Sequence, residues 1–345
     1  MNIRHIAAST LVAAALAAAA SGKAAAQGAP LAFNYGYTTA DHVNLYVAQD
    51  LNLFEKAGLK PNFFAFPSGA PLLAALKSES LDVLTAGLGF AFALGQKIPL
   101  TMLYWNSNDS TGEGLVVNAK SGIKSFRDIG KATKIGAASG TCAQVALYLM
   151  GKKVGIDYNK FNIVNLPAPL FRNSFLSDSI DAGIAWSPYS VMLDAEGYKV
   201  VSWDSEYTPP GGLCPRTTAA RPAFLKAHPE LGVRLLQVDA MASEAVAKNP
   251  QIAYDAVAKR LSLAPAVAKA TVDRVYMQRP TYAQQLDPAS PYSMTSKDGG
   301  LAGKYLQATQ VLLETKSIPE PVPMSVIQGA IDPTYLKQFV ERGGK

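Results

Sequence analysis

From residue 31 to residue 203 one pattern recurs: a short apolar run, a turn built from Gly, Ser or Thr, then a stretch of helical length. Strands alternating with helices at this spacing imply parallel crossovers, which confine the chain to an α/β sheet fold. In open α/β sheets the carboxyl ends of the strands line the ligand crevice, so the turns become candidate site residues.

The pattern is sharpest at residues 134–154. An apolar run leads into Ser139-Gly140-Thr141, and apolar residues then recur at Val145, Leu147, Leu149 and Met150, which reads as strand, tight turn and helix start. First-turn N–H groups have no partner within the helix and sit at the positive end of its dipole, so they suit a carboxylate, sulfonate or other oxyanion. Simple capping by Ser139 or Thr141 is the alternative. No Lys follows the Gly, so the nucleotide-binding loop G-x-x-x-x-G-K-[ST] is excluded.

Along the chain, strands are expected at 31–36, 60–66, 81–86 and 99–104, with helices between them. The polar, glycine-bearing stretch 105–114 reads as a first crossing between two lobes, after which the pattern restarts with strands at 115–118, 135–138, 163–166, 180–185 and 199–203. Residues 204–215, rich in Pro and Gly, read as the return crossing, and the chain is helical from 222. The expected organisation is a leader over 1–27, lobe 1 from 28–113 plus 214–345, and lobe 2 from 114–213. About 318 residues after the leader exceed what one hydrophobic core usually serves, which also predicts two lobes.

The leader reading rests on Arg4, an apolar stretch over 6–20, and Ala24-Ala25-Ala26 before Gln27: a secretory signal with a small-residue cleavage site near Ala26. It predicts an exported chain, with no Cys at the cleavage site to carry a lipid. Removing Arg4 and Lys23 lowers the formal net charge from +6 to +4, spread without a basic run, so nothing points to nucleic acid. Cys142 and Cys214 are expected to pair in an oxidising compartment, closing a loop worth roughly 4 kcal/mol in the chain-entropy model; two buried free thiols are the competing reading. Outside the leader only His42 and His228 are available, neither at ligand spacing from a Cys, so neither a metal nor another cofactor is expected.

Several short segments, in their order and spacing, carry a resemblance: residues 47–59 (VAQDLNLFEKAGL), 80–83 (SLDV), 95–100 (GQKIPL), 123–131 (IKSFRDIGK), the Ser139-Gly140 turn and residues 180–188 (IDAGIAWSP). The chain resembles the periplasmic solute-binding proteins of ABC importers, in the group serving taurine, aliphatic sulfonates, nitrate and related solutes. The resemblance implies a two-lobed type II binding protein with a central cleft and two crossover segments. Such a protein works as a monomer, closing at a hinge and delivering its solute to an ABC permease in the inner membrane. It nominates as ligand-binding Tyr35, Tyr37, Thr38, Ser68, Gly69, Gly87 and Gly89 from lobe 1, and Ser139, Gly140, Thr141 and Trp186 from lobe 2. Trp105 and Asp109 are nominated on the first crossing. Asp109 would suit an ammonium group as in taurine, or form a turn. Arg172 would reach the cleft or be solvated.

Two rivals remain open at the level of sequence. An enzyme on the same fold would need Cys142 as an activated thiol. A sensor handing its ligand to a receptor would share every feature named above.

Overall fold

The computed structural model describes residues 29–209 and 212–344; the expected leader lies outside the described residues. The chain lays down β1 (Leu31–Thr38), β2 (Leu59–Phe66), β3 (Val83–Ala86) and β4 (Thr101–Asn108). It then makes β5 (Gly114–Val117), β6 (Ile135–Gly136), β7 (Ile163–Val164), β8 (Ala182–Ala185) and β9 (Lys199–Trp203), and returns with β10 (Pro215–Ala220). Two five-stranded sheets result, ordered β2-β1-β3-β10-β4 and β7-β6-β8-β5-β9.

The two sheets share one logic. β1 runs parallel to β2 and β3, and β6 runs parallel to β7 and β8, whereas β10 and β5 run against both their neighbours. Each antiparallel strand is the one that arrives from the other sheet. A lobe's own strands end at the junction between lobes, while an arriving strand begins there, so it must run the opposite way. Strand ends and strand starts are thereby gathered at one place: Pro215 pairs with Asn108, and Gly114 pairs with both Ala185 and Trp203.

Strand alternation decides what faces what. On β1 the buried Phe33 and Tyr35 point toward the helices Val43–Asp50 and Leu231–Lys248, and Gly36 points to the other face, under the helix Gly69–Lys77. A Cβ on Gly36 would come within 2.6 Å of Leu72 Cδ1 and closer still to Leu81 Cδ1, so only glycine fits beneath that helix. The exposed edge of β4 is covered rather than left open: the Gln285 amide bonds both the N–H and the C=O of Trp105 at 2.9 Å, and Met102 exchanges backbone bonds with Ala330 and Asp332.

The strand β10 is absent from the sequence-based expectation, which runs from the return crossing straight to the helix at 222. Residues 215–220 (PRTTAA) offer neither an alternating nor a branched apolar run, yet all six are buried inside the first sheet. Pro215 is tolerated because it is the first residue of the strand. Elsewhere the strands expected at 135–138 and 163–166 shorten to two residues each, and Phe126–Lys131 forms a 3-10 turn capped by Ser125. The helix after β1 starts at Val43, after His42, without a side-chain cap.

Cys142 and Cys214 form a disulfide with 5.7 Å between their Cα atoms. It ties the first turn of the helix Cys142–Val154, which belongs to the second sheet, to the residue that leads into β10 in the first. The lobes also meet through Trp186 Nε1, which donates to Thr39 O at 3.2 Å, and through Gln144 Nε2, which donates to Thr315 Oγ1 at 2.9 Å and to Ser317 Oγ at 2.6 Å. Among the described residues no helix is long and apolar enough to cross a membrane.

With 72 residues between the cysteines, the bond should stabilise the native state by about 4 kcal/mol. The Cys142→Ala/Cys214→Ala protein is expected to melt roughly 5 °C or more below wild type by calorimetry. Thiol titration of the native protein should find no reactive thiol until reductant is added. Two free thiols in the native protein would remove the tether between the lobes.

Candidate functional site

Where the strand ends and strand starts meet lies a cleft with about 470 Å³ of empty space, part of it open to solvent. The first sheet contributes Thr38 and Ala40 after β1, Ser68 and Gly69 after β2, and Ala86 to Gly89 after β3. Thr141, Cys142 and Trp186 come from the second, and Asp109, Glu113, Cys214 and Arg216 lie on or beside the two crossings.

Three helices begin at this cleft: Gly69–Lys77, Gly89–Gly95 and Cys142–Val154. Glycines stand at the junctions, and at Gly87 a side chain would be tight. A Cβ built on Gly89 would lie 3.8 Å from Gly69 Cα and 3.9 Å from Gly140 O, and one on Gly87 would lie 3.1 Å from Cys142 Sγ. None of the three helices has a side-chain cap, and the Thr141 hydroxyl instead donates back to Ala138 O at 2.7 Å. First-turn N–H groups of Gly69–Lys77 and Cys142–Val154 therefore remain available to an anion in the cleft.

Asp109, Glu113 and Arg216 line the cleft's other side, with the buried Asp41 and Asp204 behind them. Arg216 Nη2 lies 2.8 Å from both Asp41 Oδ1 and Asp109 Oδ2, and its Nη1 donates to Asp41 O at 2.9 Å. Ser107 donates to the other oxygen of Asp109 at 3.2 Å. Burial alone would lower Arg216, but the carboxylates of Asp109 and Asp41 outweigh it and hold the guanidinium above its ordinary pKa. Burial pushes Asp41 up to about 7 against the pull of Arg216. Asp204 on the return crossing is likewise raised by burial to about 7, although the Leu213 N–H, the Tyr207 hydroxyl and the Lys304 charge favour its ionised form. Glu113 is pushed well above the usual carboxylate range, first by burial and then by the charges of Asp204 and Asp109.

Of the residues nominated from sequence, Thr38, Ser68, Gly69, Gly87, Gly89, Asp109, Thr141 and Trp186 lie together in the cleft lining, with both cysteines. Tyr35 does not. It is on the alternate face of β1, hydrogen-bonded to Thr85 at 2.7 Å, in a second cavity behind the first sheet that shares Arg216 with the cleft. Tyr37 shares that face and packs edge-on against His42 and Tyr46. Trp105 is buried on β4, its indole N–H donated to Ser107 O at 2.6 Å and its ring against Tyr292. Ser139 is exposed, and the donors of the turn are used internally: Ser139 N–H goes to Asn165 Oδ1 at 3.0 Å and Gly140 N–H to Gln144 Oε1 at 2.7 Å. Arg172 pairs with Glu196 at the surface.

Sequence reasoning missed Glu113 and Arg216. Glu113 hides in Gly112-Glu113-Gly114, and its only signal is a carboxyl between two glycines at the foot of the apolar run 115–117. Arg216 sits on the unexpected strand β10. Among the described residues, one trio of potential metal donors lies within 4.8 Å: Glu113, Cys142 and Cys214. Two sulfurs joined to each other lack the thiolate charge a metal would need.

The profile of the family described as NMT1/THI5 like matches residues 39–253, well over half of the chain. A Bacillus subtilis protein that carries the provisional name aliphatic sulfonates-binding protein is 30% identical over 188 residues, covering 54% of this chain and 55% of that one. The alkanesulfonate-binding protein SsuA from Xanthomonas axonopodis pv. citri bound to MOPS superposes with a TM-score of 0.71 at 21% identity, covering 89% of this chain and 99% of that one. The desulfurization enzyme DSZB has the same fold, with a TM-score of 0.63 at 14% identity over 91% of this chain and 99% of its own.

The raised carboxyls have a measurable consequence. Glu113, Asp41 and Asp204 hold protons more tightly folded than unfolded, so their contribution is whole below about pH 4 and declines as pH rises, that of Asp41 and Asp204 being lost toward 7. His42, pushed down by burial and by the charge of Arg216, works the other way below about pH 6.5. Three carboxyls outweigh one imidazole. The ligand-free protein should therefore melt higher at pH 5 than at pH 8, by at least about 3 °C in scanning calorimetry. A higher melting temperature at pH 8 would mean that these groups are already ionised in the native state at pH 5.

Proposed function

We propose, for a chain that belongs to the NMT1/THI5-like family, that it is the extracytoplasmic solute-binding component of an ABC importer. In this reading a small organic anion or zwitterion, sulfonate- or carboxylate-ended, bridges the cleft. The lobes, residues 28–113 with 214–345 and residues 114–213, close on it as hinged bodies, and the monomer carries it through the periplasm to an inner-membrane permease. Closure is a population shift, driven by the contacts a bridging solute makes to both sides at once.

One observation carries the reading: uncapped helix starts at Gly69 and Cys142, one from each lobe, open into the same cleft. An anion bonded to both would join the lobes through main-chain donors. The names of the sulfonate-binding relatives agree with that chemistry. The Trp186 ring, with its N–H already committed to Thr39, supplies an apolar wall for the body of the solute.

The enzyme reading has less support here, although DSZB shares the fold. Cys142 is bonded to Cys214 and has no thiolate to attack with. His42 is buried with Nε2 2.8 Å from Thr38 O, His228 packs on Phe224 at the surface, and neither lines the cleft.

A thermal-shift panel of taurine, alkyl and aryl sulfonates, nitrate and aromatic carboxylates tests the proposal. At a hundredfold excess over its Kd, a true ligand adds about 2.7 kcal/mol of apparent stability, a shift of several degrees. Gly69→Ala separates site from fold. Its Cβ meets only Gly89 Cα at 3.8 Å, so the ligand-free melting temperature should stay within about 2 °C while the added methyl lowers affinity tenfold or more. A panel that shifts nothing, or a Gly69→Ala protein that binds like wild type, would remove the solute from this cleft.

A further inference from the structure

The most exceptional side chain in the cleft is one the anion-binding reading does not use. Glu113 is 1% exposed, its Oε1 has no hydrogen-bond partner, and its Oε2 faces Cys214 Sγ at 4.0 Å, a disulfide sulfur with no proton to give. A buried carboxyl oxygen left without a donor is costly, and folded proteins rarely keep one without a use.

Among the described residues no cation is paired with it. Arg216 on β10 is bonded to Asp41 and Asp109, and Lys304 on the helix Gly300–Glu314 donates to Gly212 O and lies under the influence of Asp204. The charged groups that do bear on Glu113, Asp109 from its own crossing and Asp204 from the return crossing, are both acids. Asp109, the residue sequence suggested for an ammonium group, has both oxygens engaged, one by Arg216 and one by Ser107. Glu113 is the acceptor still open in the cleft, and the aromatic ring of Trp186 lines the same space, a second feature favourable to a cation.

We propose that Glu113 determines which solutes the cleft accepts, by receiving a protonated amine of the ligand. The inference rests on the solute-capture reading above and adds a requirement to it: the anion must also carry a cationic nitrogen. Burial and the two neighbouring acids favour the neutral acid of Glu113 in the empty site. On binding, its carboxyl proton leaves to solvent and the carboxylate pairs with the incoming ammonium, so one proton is released for each solute bound. A simple anion of the same size leaves the acid buried, unpaired and beside two other carboxyls, and is rejected.

Isothermal titration of the full mature protein, with its disulfide intact, tests this at pH 7 in two buffers of different ionisation enthalpy. The probes are taurine and β-alanine, their amine-free counterparts ethanesulfonate and propionate, and ethylammonium without an anion. Wild type is expected to bind an amine-bearing anion at least a hundredfold more tightly than its amine-free counterpart, with about one proton released. Glu113→Gln keeps the shape and removes the charge. It should bind the same amine-bearing probe at least tenfold more weakly and release no proton. Ethanesulfonate or propionate binding wild type as tightly as taurine or β-alanine would overturn the role of Glu113 while leaving solute capture intact, and this comparison needs no variant. Amine-bearing probes that bind Glu113→Gln unchanged, or release no proton from wild type, would overturn it too. Binding of none of the five would sink this inference, whereas solute capture falls only if nitrate and the aryl sulfonates fail as well.

Discussion

The guanidinium of Arg216 is the point at which the molecule is held together across its own topology. It joins the turn after β1, through Asp41, to the first crossing, through Asp109, and it does so from a strand that arrives by the second crossing. All three groups are almost fully buried. An ion pair in such a place gains little net stability over a well-packed apolar replacement, because desolvation consumes most of the Coulomb attraction. Removing one partner is another matter: a charge would be stranded in the interior at a cost of about 3–5 kcal/mol. What the triad supplies is therefore position. It fixes both crossings against the end of β1, and the cleft is the space left beside that junction.

The glycines complete the geometry. At Gly87 an added Cβ would crowd the disulfide, and at Gly69 and Gly89 the missing side chains leave backbone facing the cleft. The disulfide does for the second lobe what Arg216 does for the first. It brings the start of the helix Cys142–Val154 against the crossing, so the donors of that helix face the same volume as those of Gly69–Lys77. A covalent tie near the crossings also limits how far this part of the two lobes can separate, whereas Trp186 and Gln144 join them by hydrogen bonds alone.

Much of this was legible in the sequence because it depends on local rules. Strand-turn-helix alternation, glycine at the turns and the polar stretches between lobes all follow from neighbours in the chain, and they led to Ser68-Gly69, Gly87, Gly89 and Thr141. What was not legible depends on contacts between distant segments. Tyr35 and Thr38 stand three residues apart on one strand, and only the register of β1 against its helices sends the first inward and the second to the cleft. Ser139 and Gly140 looked like free donors until Asn165 and Gln144 were found to occupy them. β10 has little strand propensity of its own. It is a strand because β3 and β4 each present an unsatisfied edge and residues 215–220 are what the return crossing delivers between them.

The two walls of the cleft oppose each other electrostatically, and that opposition bears on why the fold keeps them apart. Uncapped N–H groups favour negative charge, while Glu113 in the lining, with Asp204 behind it, resists it, and within a few ångströms in a low-dielectric interior neither effect is well screened. A site for a plain anion would gain by replacing Glu113 with an apolar or amide side chain, since the carboxyl costs about 1–3 kcal/mol unpaired and repels the ligand if it ionises. That cost is of the same order as the roughly 4 kcal/mol the adjacent disulfide contributes, so the fold can hold the acid without losing the junction. A buried acid opposite a ring of main-chain donors is a poor arrangement for one charge and a good one for two of opposite sign at the ends of a short molecule.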